Sequence, residues 1–191
     1  GTNNDFAVVR YTSSGVLDST FGSGGQVTTA IGSSSDIPHS VAIQSDGKIV
    51  VAGDSYNGSY SDFALVRYTT SGAVDSTFGT SGKVTTAIGS YDDYCSGVAL
   101  QNDGKIIVVG AVSDGSGKFA LVRYTGSGAL DSSFGAGGKV TTAFGSYSDD
   151  GRSVVVQSDG KVVAAGYSII GGNRDFALVR YTSSGALDSS F

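Results

Sequence analysis

The chain has 191 residues, of which 39% are hydrophobic, enough for one packed core or a short array of repeats. Its 17 acidic residues are all aspartate and its net charge is −5, without the basic stripe that a nucleic-acid surface requires. No apolar stretch approaches the ~20 residues of a membrane span, and a single cysteine excludes an internal disulfide.

One segment recurs four times along the chain. It reads DFAVVRYTSSGVLDSTFG from Asp5, and close copies begin at Asp62, Lys118 and Asp175. We therefore treat residues 1–191 as a single array of three repeat units and a partial fourth, with approximate bounds 5–61, 62–117, 118–174 and 175–191.

Each unit predicts four short strands, which we take in chain order from Phe63. Alternating apolar residues predict a strand at Phe63–Thr69, and a turn-rich segment separates it from a second strand at Lys83–Ile88. A variable connection leads to a strand at Gly97–Gln101. The Asp103-Gly104 dipeptide then predicts a tight hairpin into Lys105–Gly110.

This pattern predicts an all-β chain of tandem four-stranded antiparallel blades, as in a β-propeller. A blade would begin with the VAIQ-type strand, continue through IVVAG and FALVRY, and end with KVTTAIG. A parallel β-helix is the alternative, but its repeats are shorter and contain no Asp-Gly hairpins.

The repeated sequence resembles a known family. FALVRYTxSGALDSSFGxGGKVTTAFG followed by VxVQSDGKVVAAG is similar to the delta-60 repeat, a β-propeller repeat of bacterial surface and secreted proteins. The resemblance covers essentially the whole chain. It implies a propeller fold and an extracellular or cell-surface location in a bacterium, with no catalytic residues to carry over.

Each repeat also carries an arginine and an aspartate eight residues apart. The arginine lies in an apolar predicted strand and the aspartate in the turn that follows, which predicts a structural clamp within each blade. The alternative is that four guanidinium groups line a binding face. The pairs are Arg10 and Asp18, Arg67 and Asp75, Arg123 and Asp131, and Arg180 and Asp188.

The residues that could support catalysis or metal binding are few. His39 and Cys95 are the only residues of their types; they cannot form a Cys/His zinc site, and a nucleophile pair would need both to meet across blades. We expect the acid pairs Asp92-Asp93 and Asp149-Asp150 to be solvated. The Asp-Gly-Lys turns are interpreted as hairpins rather than calcium loops. No enzyme activity, metal or cofactor is predicted.

Two connections per repeat vary in sequence, whereas the other two are nearly constant. In an antiparallel meander both variable connections lie at one end, which predicts a single recognition face; free variation of exposed loops is the alternative explanation. Tyrosine among Ser, Gly and Asn is typical of adaptable recognition loops. The candidate ligand-binding residues are Tyr56, Tyr60, Tyr91, Tyr94, Tyr147 and Tyr167.

The sequence thus predicts a non-enzymatic extracellular module that serves as a binding or structural scaffold, as in an adhesin or surface filament. A lectin-like propeller that uses the Tyr/Asp-rich face is the alternative. The predicted partners of the chain are other copies of itself, in a homo-oligomer or filament, and a cell-surface glycan or protein.

Self-association is expected because three repeats are too few for a ring of roughly 4 to 8 blades. The chain starts with third and fourth blade strands, at Phe6–Thr12 and Gln26–Ile31, and ends with first, second and third strands. These edges are complementary, so another chain could complete the blades. A six-bladed ring of two chains, a fibre, and a segment cut from a longer array all fit this pattern.

Overall fold

A computed structural model describes residues 3–145 and 148–191, which form β-strands and turns. Every pair of neighbouring strands is antiparallel. The strands are β1 (Phe6–Val9), β2 (Gln26–Thr29), β3 (Asp36–Ile43), β4 (Ile49–Tyr56), β5 (Ser61–Tyr68), β6 (Lys83–Thr86), β7 (Asp93–Leu100), β8 (Ile106–Ser113), β9 (Gly117–Tyr124), β10 (Lys139–Thr142), β11 (Asp149–Val156), β12 (Val162–Ile170) and β13 (Asn173–Tyr181).

The strands form four sheets, which we call the first to fourth blades. The first contains β1 and β2, the second β3–β6, the third β7–β10, and the fourth β11–β13, each in chain order across the sheet. This confirms the predicted all-β fold of four-stranded antiparallel blades, including the strand that begins each blade. The sequence repeats are offset from the blades, so each repeat spans two of them.

The strands at the variable end are longer than predicted. β7 begins at Asp93 rather than Gly97, because a bulge between Cys95 and Gly97 lets pairing with β8 continue past the irregularity. Similarly, β12 and β13 leave only Gly171 and Gly172 between them, at φ values of 61° and 89°. Two such residues make a tight hairpin turn, so most of that variable segment is strand.

Adjacent blades interlock through a phenylalanine and a glycine. A Cβ atom built on Gly110 would lie 1.9 Å from the Tyr94 carbonyl oxygen and 2.9 Å from Cζ of Phe63, which belongs to the preceding blade. A Cβ on Gly166 would lie 2.8 Å from Cζ of Phe119 in the same way. Glycine is required here because a Cβ would overlap the first strand of the same blade, at the Tyr94 or Asp150 carbonyl oxygen, and would also meet the phenylalanine ring of the preceding blade.

The core lies between blades rather than within one. One buried cluster joins the first and second blades, a second joins the second and third, and a third joins the third and fourth. Because a single blade is one sheet thick, its apolar faces are buried only by its neighbours.

Two faces of the described fold are uncovered. The rings of Phe6, Phe63 and Phe119 are 0% exposed, whereas the equivalent Phe176 in the fourth blade is 98% exposed. At the opposite side, Val41 is 59% exposed beside a groove of about 700 Å³ between β1 and the second blade. Both surfaces are largely apolar, although Arg10 and His39 also line the groove and Arg180 lies on the same face as Phe176.

Candidate functional site

The antiparallel order separates the connections of each blade into two ends. The β3–β4 and β5–β6 turns of the second blade lie at one end, and the β4–β5 and β6–β7 connections lie at the other. The nearly constant segments therefore share one end, the constant end, and the variable segments share the other, the variable-loop face.

At the constant end, Arg67 is held by several partners. Its Nε donates to Oδ2 of Asp75 at 2.9 Å, its Nη2 donates to the Thr77 hydroxyl at 3.1 Å, and its Cζ lies 4.6 Å from the centre of the Phe78 ring. Lys48, from the Asp-Gly-Lys turn, approaches the same Asp75 oxygen at 3.2 Å. Both side chains of the Arg67–Asp75 pair are only 7% exposed.

Besides the predicted pair within the blade, the clamp also contacts the next blade, which the eight-residue spacing did not predict. Arg67 Nη1 donates to the Gly126 carbonyl in the third blade at 2.5 Å, and Gly79 N donates to the Ser127 carbonyl at 2.8 Å. Arg123 reaches the Ser183 carbonyl of the fourth blade at 2.6 Å. The clamp therefore also fixes neighbouring blades to each other, since the arginine has more donors than one carboxylate can accept.

The clamps recur in all four blades with similar geometry. Arg10, Arg123 and Arg180 each donate from Nε to the Oδ2 atom of the aspartate eight residues on, at 2.8 Å. A hydrogen bond from the Ser133 hydroxyl, with Arg123 nearby, lowers the pKa of Asp131 to about 2. The Asp131 carboxylate is therefore charged at neutral pH.

On the variable-loop face, two tyrosines from different connections meet. The rings of Tyr60 and Tyr91 are 5.4 Å apart and nearly perpendicular, and the Ser61 amide donates to the Asp92 carboxylate at 2.8 Å. Edge-to-face packing is a favoured arrangement of aromatic pairs. These contacts join the β4–β5 connection to the β6–β7 connection.

The other candidate tyrosines are placed differently. Tyr56 ends β4 and Tyr94 lies in β7, and both remain partly exposed. Tyr167 lies within β12, where its hydroxyl donates to Asp150 at 3.3 Å and the Arg174 guanidinium lies over its ring. Tyr147 lies outside the described residues. Among the candidate tyrosines in the described residues, the structure brings Tyr60 and Tyr91 into contact.

His39 and Cys95 converge on a residue that sequence reasoning missed, Asp54. His39 Nε2 lies 2.9 Å from Asp54 Oδ2, and the Cys95 amide donates to Asp54 Oδ1 at 2.5 Å across the blade boundary. Burial raises the pKa of Asp54, and burial beside this carboxylate raises the pKa of the Cys95 thiol well above its usual value. Ala111 and Tyr167 occupy the position of Asp54 in the next two blades. An aspartate found at this position in one blade and not in the other two is the sequence feature that could have pointed to Asp54.

The expectation that adjacent acids would be solvated is wrong for Asp93 and Asp149, which are fully buried. Asp93 accepts hydrogen bonds from the backbone amides of Ile88 at 2.5 Å and Gly89 at 3.1 Å, and Asp149 accepts one from Phe144 at 2.7 Å. These carboxylates hold the connection between blades against the start of the next blade. The recurrence of an aspartate at this place in all three full repeats, as Asp36, Asp93 and Asp149, is the sequence pattern that could have indicated their burial.

Within residues 3–145 and 148–191, no group of three or more His, Cys, Asp or Glu side chains could hold a metal ion. The same ranges contain no helix of the length and apolarity needed to cross a membrane.

A family model described as "Domain of unknown function (DUF5122) beta-propeller" matches residues 1–21, 44–78, 101–134 and 157–191. Each matched segment after the first contains the hairpin turn at the constant end, the second and third strands of a blade with the variable connection between them, and the constant turn with its clamp. No curated protein matches the chain.

Proposed function

The chain belongs to the DUF5122 β-propeller family, and we propose that it is a non-enzymatic repeat module that acts outside the cell as a binding or structural scaffold. We also propose that its repeats are delta-60 repeats of bacterial surface and secreted proteins, because the long motif in each repeat resembles that repeat. We further propose that copies of the chain assemble through their open blade edges into a ring or a surface fibre.

A single residue carries the proposal of self-assembly. Phe176 is 98% exposed, although the three phenylalanines at its position in other repeats are completely buried by the blade that follows. Leu178 and Val155 are also exposed on the same face. Exposed apolar side chains grouped on one face are typical of an interaction site.

The absence of catalysis is proposed from the residues that could support it. The Cys95 side chain is buried with a raised pKa, which disfavours the thiolate needed for nucleophilic attack. His39 is paired with Asp54. A structural role for both at the boundary of the second and third blades explains these contacts.

We expect the purified chain to associate at micromolar concentration, measured by multi-angle light scattering. A discrete dimer would support a ring of shared blades, and growth that continues with concentration would support a fibre. A stable, well-folded monomer at every concentration would contradict self-assembly, and it would favour blades completed by further repeats of a longer polypeptide.

A lectin-like role is the second candidate, favoured by the Tyr60–Tyr91 pair on the variable-loop face. Tyr91 is 51% exposed and neighbours the Asp92 carboxylate. An exposed aromatic ring beside a carboxylate combines an apolar platform with hydrogen-bond acceptors, which suits a sugar ring with its hydroxyl groups.

If this face binds glycans, we expect Tyr91→Ala and Tyr60→Ala each to weaken binding at least tenfold on a glycan array. Tyr11→Ala is the matched control, because Tyr11 is at least as exposed as Tyr60 and Tyr91 but lies toward the constant end. Equal binding by all three variants, or no glycan bound by the unmodified chain, would contradict the lectin-like role.

A further inference from the structure

We propose that the boundary between neighbouring blades carries a binding pocket at the constant end, and that each such pocket takes a neutral saccharide unit. The inference rests on the proposed role as a binding module, but it needs neither self-assembly nor the variable-loop face. It adds a second binding surface, at the opposite end of the blades from the Tyr60–Tyr91 pair.

Two pockets at the constant end have the same construction. One lies between the second and third blades, with a volume of about 750 Å³, and the other lies between the third and fourth, with a volume of about 680 Å³. Ligand pockets in proteins typically enclose about 300–1,000 Å³, so each is large enough for a small ligand. Both lie between described blades, so neither depends on what precedes or follows residues 1–191.

Equivalent residues line the two pockets. The preceding blade supplies a glutamine, the lysine of the Asp-Gly-Lys turn and the clamp arginine, which are Gln44, Lys48 and Arg67 in the first pocket and Gln101, Lys105 and Arg123 in the second. On the opposite wall, Gln101 lines the first pocket and Gln157 lines the second. Two pockets with the same lining would bind the same chemical unit twice on one chain.

The charged side chains that line the pockets are already paired. Lys48 Nζ lies 3.5 Å from Asp46 Oδ2, and Lys105 Nζ lies 3.1 Å from Asp103 Oδ2. The clamp arginines are bonded to their own aspartates, and Asp159 is paired with a lysine at 3.9 Å. A phosphate or carboxylate ligand would have to displace one of these carboxylates from its cation. The pairing therefore favours a ligand without charge.

The neutral part of the lining can form hydrogen bonds with such a ligand. Gln44 Oε1 and Gln101 Oε1 are buried and accept no hydrogen bond from the part of the chain that the structure describes. Both side chains line the first pocket, together with Ser45 and Asn102. A buried acceptor without a donor destabilises a fold, so a ligand that donates to it is favoured. A sugar hydroxyl can donate to an amide oxygen and accept from an amide nitrogen.

Each pocket also has an aliphatic side chain on each wall. These are Ile43 and Leu100 in the first pocket, and Leu100 and Val156 in the second. The CH groups of a sugar ring would pack on them while its hydroxyl groups meet the amides. Because the pockets recur at successive boundaries, a polysaccharide of identical units could contact both, and linked contacts raise the overall affinity.

Gln101 is the decisive residue for a test, because it lines both pockets, whereas Gln44 lines the first and Gln157 the second. Leucine has nearly the size of glutamine but no polar group. Since the Gln101 oxygen has no donor among the described residues, Gln101→Leu should leave the midpoint of thermal unfolding unchanged or raise it. Gln26→Leu is the matched control, because Gln26 is exposed and lines neither pocket.

The experiment uses the full chain on a glycan array that carries neutral and acidic oligosaccharides, followed by calorimetric titration with the neutral oligosaccharide that binds best. We expect two sites per chain and at least tenfold weaker binding by Gln101→Leu. Gln44→Leu and Gln157→Leu should each keep one site at the original affinity. Gln26→Leu and Tyr91→Ala should leave both sites unchanged.

Binding that Tyr91→Ala abolishes and Gln101→Leu retains would overturn the pockets and support the variable-loop face. Binding to acidic glycans alone would overturn the neutral ligand. A lower unfolding midpoint together with weaker binding in Gln101→Leu would assign this side chain a structural role and overturn the proposal. No bound glycan at all would overturn both saccharide sites and leave a structural scaffold.

A second variant covers the case in which Gln101→Leu fails to fold. Ser45 and Ser158 are exposed and line one pocket each, so Ser45→Leu combined with Ser158→Leu narrows both pockets without disturbing the core. We expect at least tenfold weaker binding by this double variant. Unchanged binding would overturn the proposal.

Discussion

We expect Asp75→Ala to lower the free energy of unfolding by about 3–5 kcal/mol, because it leaves a buried guanidinium without its carboxylate. Arg67 is 6% exposed and holds the second blade to the third through the Gly126 carbonyl. The substitution also removes the acceptor for the Thr77 amide and hydroxyl. Equilibrium unfolding in urea, followed by circular dichroism, measures the loss.

Asp18→Ala is the matched control for this clamp. Its partner Arg10 makes the same contact, but the side chains of that pair are 30% and 23% exposed, so water can replace the carboxylate. We therefore expect a much smaller loss than for Asp75→Ala. A loss within about 0.5 kcal/mol for Asp75→Ala, typical of surface positions, would show that burial of the pair contributes little.

The second large effect is expected at Phe119, in the interface between the third and fourth blades. Phe119→Ala should lower the free energy of unfolding by about 3–5 kcal/mol, because it removes a fully buried ring and leaves a cavity against Gly166. The same unfolding measurement applies, made at a protein concentration where the unmodified chain is monomeric or its association is known.

Phe176→Ala is the control, since Phe176 has the same repeat position and the same flanking sequence but is exposed. We expect a change within about 0.5 kcal/mol for the monomer. Equal losses for the two variants would mean that the outer face of the fourth blade is covered in solution.

The four-stranded blade and the strand that begins it could be predicted, because the sequence patterns that indicate them are local and recur in each repeat. The Asp103-Gly104 dipeptide fixes a hairpin wherever it falls between apolar runs, since glycine readily takes the positive φ of 83° found at Gly104. Because the same pattern recurs in each repeat, strands and turns that one repeat alone would leave ambiguous can be assigned. The separation of constant and variable ends follows from the antiparallel order alone.

Contacts between blades could not be predicted in the same way. The eight-residue spacing of Arg67 and Asp75 suggested a pair, but its bond to Gly126 depends on how the next blade is placed. Asp54 was missed for the same reason, because its partner amide at Cys95 comes from another blade. Spacing along the chain carries no information about such neighbours.

The extent of the strands was underestimated where residues vary. Polar and glycine-rich segments such as those around Gly97 and Gly171 were interpreted as loops on composition. The bulge in β7 and the two-residue turn after β12 keep these segments paired despite that composition. Hydrogen bonds of the sheet thus override weak local preference.

The buried aspartate at the start of a blade has a consequence for engineering. The Asp93 carboxylate binds the amides of Ile88 and Gly89, so it closes the connection between the second and third blades at its base. Residues inserted after Ser90 would enlarge a loop whose two ends stay fixed, and each doubling of such a loop costs only about 0.6 kcal/mol in closure entropy. Each junction between blades therefore offers a grafting point where a foreign recognition loop can be carried without loosening the sheets beneath it.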